Sequence, residues 1–384
     1  MQRSSGYKTT PCPTCGRLKV RLNKSLCSAC DSREYRSKKK NPTYESPAVT
    51  PLSTNEQVSF LRSANKELEN RIKSLSMALG SQRELADQVC SSVLAASPFP
   101  RYEPPKVKGS HKPVVAVIKF SDWHIGEIIS KAETEGFGEF NWNIARTRLF
   151  GILDSFVKWV ITMRNGYQID ECVVFGEGDY ISGDIHRELS VTNEFPTPVQ
   201  TARAGLLFGE AVSFLASHFN KVTVYQVGSD NHGRLNPKPQ FKQKFENSFS
   251  YLVHVISSTY LEKHKNVTVV AAQGMKYLAT VAGWKFLIEH GDTIKSWMGI
   301  PYYGIERGRA REATRRMGTE NNFHFQSIAH WHVPGFVSGN ILINGSLSGT
   351  TEFDHGCGRH AEPSQVAFLV SPSHGVFNFT AFRG

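Results

Sequence analysis

The sequence lacks long apolar runs: no stretch of eighteen apolar residues occurs, and the first twelve residues, MQRSSGYKTTPC, contain no apolar segment. A membrane-spanning helix needs about 20 consecutive apolar residues, and a secretory signal needs a short apolar region after its basic end. We therefore expect a cytoplasmic protein with neither feature. Hydrophobic residues make up 40% of the 384 residues, which is enough for a sizeable core.

Acidic residues are scarce only at the N-terminal end. Residues 1–50 carry eleven Lys or Arg and three Asp or Glu, whereas the last 274 residues carry 26 basic and 25 acidic side chains. The net charge of +11 thus belongs mainly to an N-terminal arm. Such an asymmetry indicates contact with nucleic acid or another polyanion, although a solvated basic tail would have the same composition.

Cysteine is also unevenly distributed. Three of the seven, Cys90, Cys172 and Cys357, are widely spaced and are expected to be unpaired thiols. The other four form two close pairs, a pattern typical of a closed tetrahedral zinc site when no export signal is present. We therefore predict a structural zinc ribbon over residues 1–35, with the ligands Cys12, Cys15, Cys27 and Cys30.

Residues 55–95 contain no proline and a single glycine. A basic, proline-containing linker over 36–54 precedes them, and apolar side chains then recur at alternating spacings of three and four. This spacing predicts a coiled-coil helix over 55–96 that forms a homodimer, with a polar Asn at an a position that would set the register. An amphipathic helix packed on its own domain is the alternative. The seam consists of Val58, Leu61, Asn65, Leu68, Ile72, Leu75 and Leu79.

After a second linker over 97–113, strands and helices alternate from 114 to 384. Apolar runs such as VVAVIKF, ECVVFGEGD, KVTVYQVGSD, NVTVVAA, KFLIEHGD and NILINGS have the length of buried strands, and several end in Gly or Asp. Segments near 143–164, 197–218 and 239–263 have helical length and periodicity. The alternation predicts an α/β domain whose chemistry lies at the strand ends.

Polar clusters follow these strands at five places. A single D-x-H sequence could be an ordinary turn, and each of the other clusters also has a structural explanation. Together, however, they supply oxygen and imidazole ligands without a thiolate, which suits two hard or borderline divalent metals. The candidates are Asp122, His124, Asp179, Asn231, His232, His290, His330 and His332.

These blocks resemble, in order, the signature of the calcineurin-like metallophosphoesterases: D-x-H, G-D, G-N-H, an isolated His and G-H-x-H. The resemblance covers about residues 114–350 and implies the four-layer α/β/β/α sandwich of that family. Within the family the chain is similar to nuclease-like members, such as the double-strand-break-repair nucleases and their phage relatives. A phage gene would place the protein in the host cytoplasm.

The resemblance also implies roles for the residues. One metal would be held by Asp122, His124, Asp179 and His332, and the second by Asp179, Asn231, His290 and His330. Asp179 would bridge the two metals, with Mn favoured over Fe or Zn. A metal-bridging hydroxide would attack phosphorus, and His232 would protonate the leaving oxygen.

The sequence departs from the family pattern at three positions. Asp230 replaces the glycine that usually precedes Asn231, and Gly233 replaces the acid that usually follows His232. Ala329 replaces the glycine that usually precedes His330. The first two bear on how His232 is positioned. Asp184 and His186 lie just beyond Asp179 and would either contact substrate or form a polar loop.

Basic residues indicate a nucleic-acid substrate. Spacings of four place Arg307, Arg311 and Arg315 on one face of a helix between the last histidine blocks, with Arg316 beside them. A solvated helix that also carries Glu306 and Glu312 is the alternative. The linker adds Lys38, Lys39 and Lys40. Arg suits phosphate because its planar fork can bind two oxygens. We expect a DNA nuclease. The alternatives are a phosphatase or phosphodiesterase acting on small nucleotides or phosphoproteins, and a non-catalytic nucleic-acid adaptor. The sequence identifies no ATPase partner.

Overall fold

The computed structural model describes residues 53–95, 113–227, 229–236, 238–296 and 300–384. The predicted zinc ribbon, Lys38–Lys40 and most of the two predicted linkers lie outside the described residues. The chain divides into two compact units, Met1–Pro105 and Lys106–Gly384.

In the first unit, helix α1 spans Thr54–Ala95. It covers the segment with helical heptads. The described apolar side chains of the seam are between 40% and 64% exposed in the single chain. Among the described residues, no helix is both long and apolar enough to cross a membrane. The coiled-coil dimer stays a prediction.

In the second unit, the strands form two sheets. They are β1 (Val115–Phe120), β2 (Glu171–Gly176), β3 (Lys221–Gln226), β4 (Val267–Ala271), β5 (Lys276–Val281), β6 (Trp284–Glu289), β7 (Phe325–Ile328), β8 (Gly335–Val337), β9 (Ile341–Ile343), β10 (Ser364–Ser371) and β11 (Gly375–Arg383). The first sheet has the order β11-β10-β1-β2-β3-β4, and the second has the order β5-β6-β7-β9-β8. Strands β1 to β4 are parallel, as are β6, β7 and β9.

The helices of this unit are α2 (Trp142–Met163), α3 (Arg187–Thr192), α4 (Thr197–Ala216), α5 (Phe249–Leu261), α6 (Pro301–Arg316) and α7 (Glu352–Gly356). Helices α2, α4 and α5 bury their apolar faces against one face of the first sheet. The other face of that sheet packs on the second sheet through aromatic side chains such as Phe175, Phe286 and Phe368. A smaller cluster joins Ile305 of α6 to Ile328 and Ile341 of the second sheet.

These layers confirm the predicted α/β/β/α sandwich. One predicted helix differs in extent: the segment near 239–263 is helical only from Phe249, where the side chain of Ser248 caps the helix by accepting a hydrogen bond from the Ser250 amide. The residues before it form turns after Pro239. The Ser248 cap satisfies an amide of the first turn that has no partner within the helix, which favours a start at Phe249.

Candidate metal centre

The predicted ligands follow the carboxyl ends of five strands. Asp122 and His124 follow β1, Asp179 follows β2, and Asn231 follows β3. His290 follows β6 of the second sheet, and His330 and His332 follow β7. Because β1 to β3 are adjacent and parallel, as are β6 and β7, their carboxyl ends meet at one edge of the sandwich.

The backbone at this edge is held in an uncommon conformation. Five of the predicted ligands have positive φ angles: Asp122 (53°), His124 (47°), Asp179 (51°), His330 (70°) and His332 (58°). Non-glycine residues seldom adopt this region, and it is kept only where the surroundings impose it. Here the loops bind one another, since the Asp122 amide donates to Gly178 O at 3.0 Å and the Trp123 amide donates to Asp179 O at 2.8 Å.

The first cluster contains Asp122, His124 and His332, whose ligand atoms lie within 4.8 Å of one another. The Nε2 atoms of the two histidines are 3.2 Å apart, and His332 Nε2 lies 3.6 Å from Asp122 Oδ1. Burial lowers the pKa of His124 well below its usual range, and the nearby His232 and His332 lower it further. His124 therefore presents a neutral imidazole, the form that binds a metal.

The second cluster contains Asp179, His290 and His330, again with ligand atoms within 4.8 Å of one another. His290 Nε2 lies 3.0 Å from Asp179 Oδ2 and 2.9 Å from Asn231 Oδ1. Burial lowers the pKa of His330 to about 4, and His290 contributes to the shift. Asp179 also groups with His124 and His232 within the same limit, so its carboxylate lies between the two clusters.

His290 provides the test of whether these residues fit cations. Its Nδ1 lies 2.8 Å from the carbonyl of Glu177, so that atom carries the proton. When the ring is neutral, Nε2 carries a lone pair, and this lone pair faces the oxygens of Asp179 and Asn231. Burial alone would lower the pKa of His290, but the Asp179 carboxylate raises it well above its usual range. Several lone pairs thus converge on one point, where a divalent cation can replace a proton.

His232 lies beside both clusters. Its amide donates to Asp179 Oδ1 at 2.9 Å, and its Nδ1 donates to the carbonyl of Ser182 at 2.6 Å. Its ring is perpendicular to that of His124, with 4.5 Å between the centroids. The Nδ1 hydrogen bond leaves Nε2 available to a substrate or to a cation, because His232 also groups with His124 and Asp179.

The structure explains two of the departures from the family pattern together. The buried Asp230 carboxylate accepts hydrogen bonds from the Asp179 amide at 2.9 Å, the Gly233 amide at 2.8 Å and the Ser250 hydroxyl at 2.5 Å. A Cβ at residue 233 would lie only 2.7 Å from Asp230 Oδ1. The Asp230 carboxylate therefore occupies the space that a side chain at position 233 would need, and from there it holds the loop of His232. Ala329 does not have a positive φ, so that position does not require glycine.

A buried ion pair connects the two sheets below the centre. Lys119 Nζ lies 3.1 Å from Glu177 Oε2 and donates to the carbonyls of Ile328 and Leu342, each at 2.8 Å. The Ser327 hydroxyl donates to the other Glu177 oxygen. Burial raises the pKa of Glu177 to about 7, although Lys119 opposes that shift. The pair thus joins the loop that carries Asp179 to the end of β7.

The centre opens into a pocket of about 430 Å³. Besides the ligands, its lining includes several side chains to which the sequence motifs assigned no role: Glu127, Glu188, Leu189, Trp331, Thr351, Phe353, Asp354 and Arg359. The Phe353 ring is 71% exposed, and the Arg359 guanidinium lies over it at 5.0 Å from the centroid. His186 lines the same pocket, whereas Asp184 is exposed and does not. These lining residues share no spacing that a sequence pattern could reveal.

The four arginines of α6 do not form one uniform face. Arg315 and Arg316 bind Glu312 at 2.8 and 3.1 Å. Arg307 and Arg311 instead line a second cavity, which does not include any predicted metal ligand.

No family model matches the sequence, and no curated protein matches it. Distant matches are found among solved structures. A conserved protein of Streptococcus pneumoniae described as a predicted phosphoesterase is 13% identical, over 47% of this chain and 91% of that chain, with a TM-score of 0.24. Zinc-complexed Vps29 of Entamoeba histolytica is 11% identical over 70% and 99%, with a TM-score of 0.27. Vacuolar protein sorting 29 of Cryptosporidium parvum is 11% identical over 71% and 99%, with a TM-score of 0.27. Scores this low carry no information about function.

Proposed function

We propose that the chain is a metal-dependent phosphoesterase that hydrolyses phosphodiester bonds of nucleic acid, with DNA as the expected substrate. One observation carries the proposal: the Asp179 carboxylate lies between two carboxylate–imidazole clusters at the floor of an open pocket. Separate strands supply these groups, and their loops have a backbone that is costly to maintain. Such strain is concentrated at functional sites.

The donors suit two divalent cations, and the ligand set proposed from the sequence would hold them. Asp122, His124 and His332 would bind one cation, and Asn231, His290 and His330 the other, with Asp179 shared. When bound, such cations supply Lewis-acid activation of water and neutralise charge on the phosphate oxygens. The choice of manganese over iron or zinc is part of this proposal.

The protein's own residues would position the substrate and move one proton. His232 Nε2 is the atom that can protonate a leaving oxygen, because Nδ1 is engaged by the Ser182 carbonyl. Asp230 holds the loops of Asp179 and His232 together through its three hydrogen bonds. The resulting arrangement is fixed before substrate arrives.

Two features support a nucleic-acid substrate rather than a small ester. Phe353 presents an exposed aromatic ring beside the pocket, and Arg359 lies over that ring. Bases stack on exposed aromatic side chains, and each such contact contributes about 1–3 kcal/mol. The N-terminal arm, with its excess of Lys and Arg, would add contacts to phosphates.

The test is a manganese-supplemented assay with linear duplex DNA, single-stranded DNA and bis-p-nitrophenyl phosphate. Asp179→Asn is the control, since it removes the carboxylate that lies between the two clusters. We expect DNA cleavage by the natural protein and its loss in the variant, together with lower bound metal. Hydrolysis of the small ester alone would replace the nuclease assignment by a phosphatase or small-molecule phosphodiesterase. Absence of all three activities in the metal-loaded protein would contradict the proposal.

A further inference from the structure

A second cavity, of about 570 Å³, lies between α6 and the second sheet. Its walls come from β5, β6, β7, the loop 293–296 and one side of α6. The loop begins three residues after His290. None of the predicted metal ligands lines this cavity, so it is distinct from the metal centre.

Close packing of the loop on α6 forms one wall. Gly304 is buried, and a Cβ there would collide with the carbonyl of Lys295. One turn later, Gly308 packs against the side chain of Ile294, which also contacts the apolar cluster around Ile305. The two helical glycines thus let the loop lie directly on the helix, and the cavity is a built part of the fold.

The acidic side chains of the cavity are already neutralised. Lys276 Nζ lies 2.8 Å from Glu289 and 3.0 Å from Glu312. Glu312 is also bound by Arg315 and Arg316. In keeping with these partners, the pKa of Glu312 is lowered although burial opposes the shift. These carboxylates therefore leave no negative charge for the remaining cations.

Three cationic side chains line the same cavity without such partners. Within the described part of the chain, Lys295, Arg307 and Arg311 have no hydrogen bond or ion pair, and all three are exposed. Arg307 and Arg311 are four residues apart on one face of α6. Like charges around one concave site repel each other and attract an anion. Arginine in particular can bind two oxygens of a phosphate at once.

The floor adds a feature that a bare phosphate would not use. Gln326 is 1% exposed and donates through Nε2 to Glu289 Oε1 at 2.7 Å. Its Oε1 is buried and has no hydrogen-bond partner among the described residues. A buried acceptor without a partner is costly, so a ligand with an N–H or O–H group would be favoured. Tyr303 adds a half-exposed aromatic ring to the wall.

We infer that this cavity binds a nucleotide unit, with its phosphate on Lys295, Arg307 and Arg311 and a base or sugar donor on Gln326. The nucleotide can be free or part of a strand that extends from the metal centre. The inference rests on the proposed function for the strand, but its chemistry requires only the phosphate and the donor. The cavity would then hold a nucleotide other than the one being cut.

The experiment uses the full chain with bound metal and the double variant Arg307→Gln/Arg311→Gln. Arg315→Gln is the matched control, because Arg315 lies on the same helix but is engaged by Glu312. The probes are AMP and a labelled single-stranded oligonucleotide with cleavage-resistant phosphorothioate links. Hydrolysis of bis-p-nitrophenyl phosphate is followed in parallel, and circular dichroism verifies the fold.

We expect the double variant to bind at least one probe about tenfold more weakly. For the oligonucleotide, the slope of log K against log salt concentration should become shallower by about 1.4, because two phosphate contacts are lost. Loss confined to the oligonucleotide assigns the cavity to a strand, and loss of AMP binding assigns it to a free nucleotide. Unchanged binding of both probes would overturn the inference, as would an equal loss in Arg315→Gln. Unchanged hydrolysis of the small ester separates this result from failure of the metal centre.

Discussion

His232 is the residue whose proposed role can be isolated most cleanly. Replacing it by Ala removes the proton donor, and the seven proposed ligands remain: Asp122, His124, Asp179, Asn231, His290, His330 and His332. Loss of a general acid typically lowers turnover by about 10²- to 10⁴-fold. We expect this decrease in His232→Ala, with metal content unchanged by elemental analysis. Lower metal content would instead make His232 a ligand, a role that its position beside His124 and Asp179 also permits.

Asp230 offers a second test at the same scale. Asp230→Asn keeps the size of the side chain but turns an amide NH₂ toward backbone N–H donors of Asp179 or Gly233. Hydrogen bonds to a buried charged group contribute about 1.5–3 kcal/mol, so we expect a loss of stability of that order and slower hydrolysis. Urea denaturation and kcat measure the two effects.

The neighbouring Ser229 supplies the control for this variant. Its side chain is buried, and its hydroxyl has no hydrogen-bond partner within the described residues. Ser229→Ala should therefore leave both stability and kcat close to those of the natural protein. If Asp230→Asn behaves like Ser229→Ala, the Asp230 carboxylate does not organise the loop.

At the scale of elements, strands β1, β2, β3, β4, β6 and β9 could be predicted, whereas β5, β7, β8, β10 and β11 could not. Strands β1, β2 and β3 are apolar runs that end in polar motifs, so the sequence indicates both their position and the site at their ends. Strand β5 (KYLATV) lies at the edge of its sheet and has only two buried residues, and β11 is mostly half-buried at the edge of the other sheet. Their pairing depends on neighbours that are distant in sequence, and their local pattern is weak.

The site shows the same division. Aspartate and histidine that follow a strand can be recognised from the sequence, because few other structural roles require these two residue types together. The fold brings a short helix with Phe353 and Asp354 to the pocket, and Arg359 follows just after that helix. Likewise, the hydrogen bond from the Ser250 hydroxyl to Asp230 depends on the approach of α5, which no spacing in the sequence encodes.

The contact between the two sheets can be tested through Lys119 and Glu177. Lys119→Met leaves the Glu177 carboxylate buried without its ion-pair partner, which typically costs about 3–5 kcal/mol. The double variant Lys119→Met/Glu177→Leu removes both charges, so we expect it to be more stable than the single variant. Urea denaturation of Lys119→Met, Glu177→Leu and the double variant gives the coupling free energy between the two charges. Additive losses would show that the two charges do not stabilise each other.

At the scale of the whole molecule, the charge distribution fits the two proposed tasks, hydrolysis and nucleic-acid binding. The part that contains the candidate centre carries nearly equal numbers of acidic and basic residues, whereas the excess of positive charge lies in the first fifty residues. Weak contacts of an arm to phosphates raise the local concentration of nucleic acid without selecting a sequence. A dimer would present two arms to one strand or duplex, and linked contacts of this kind strengthen binding without any new interface.

The predicted dimer can be tested on the seam of α1. Leu68 and Leu75 are both d positions and are more than half exposed in the single chain. Lysines at these positions would place charges in the apolar seam of a parallel coiled coil, so Leu68→Lys/Leu75→Lys should be monomeric by sedimentation equilibrium. Glu67→Lys/Ser74→Lys puts the same side chains one residue earlier, outside the seam, and should remain dimeric. Equal molecular mass in all three proteins would contradict dimerisation through this helix.

If the seam variant is monomeric, its weaker DNA binding with unchanged hydrolysis of the small ester would show that dimerisation serves nucleic-acid binding and leaves the chemistry intact.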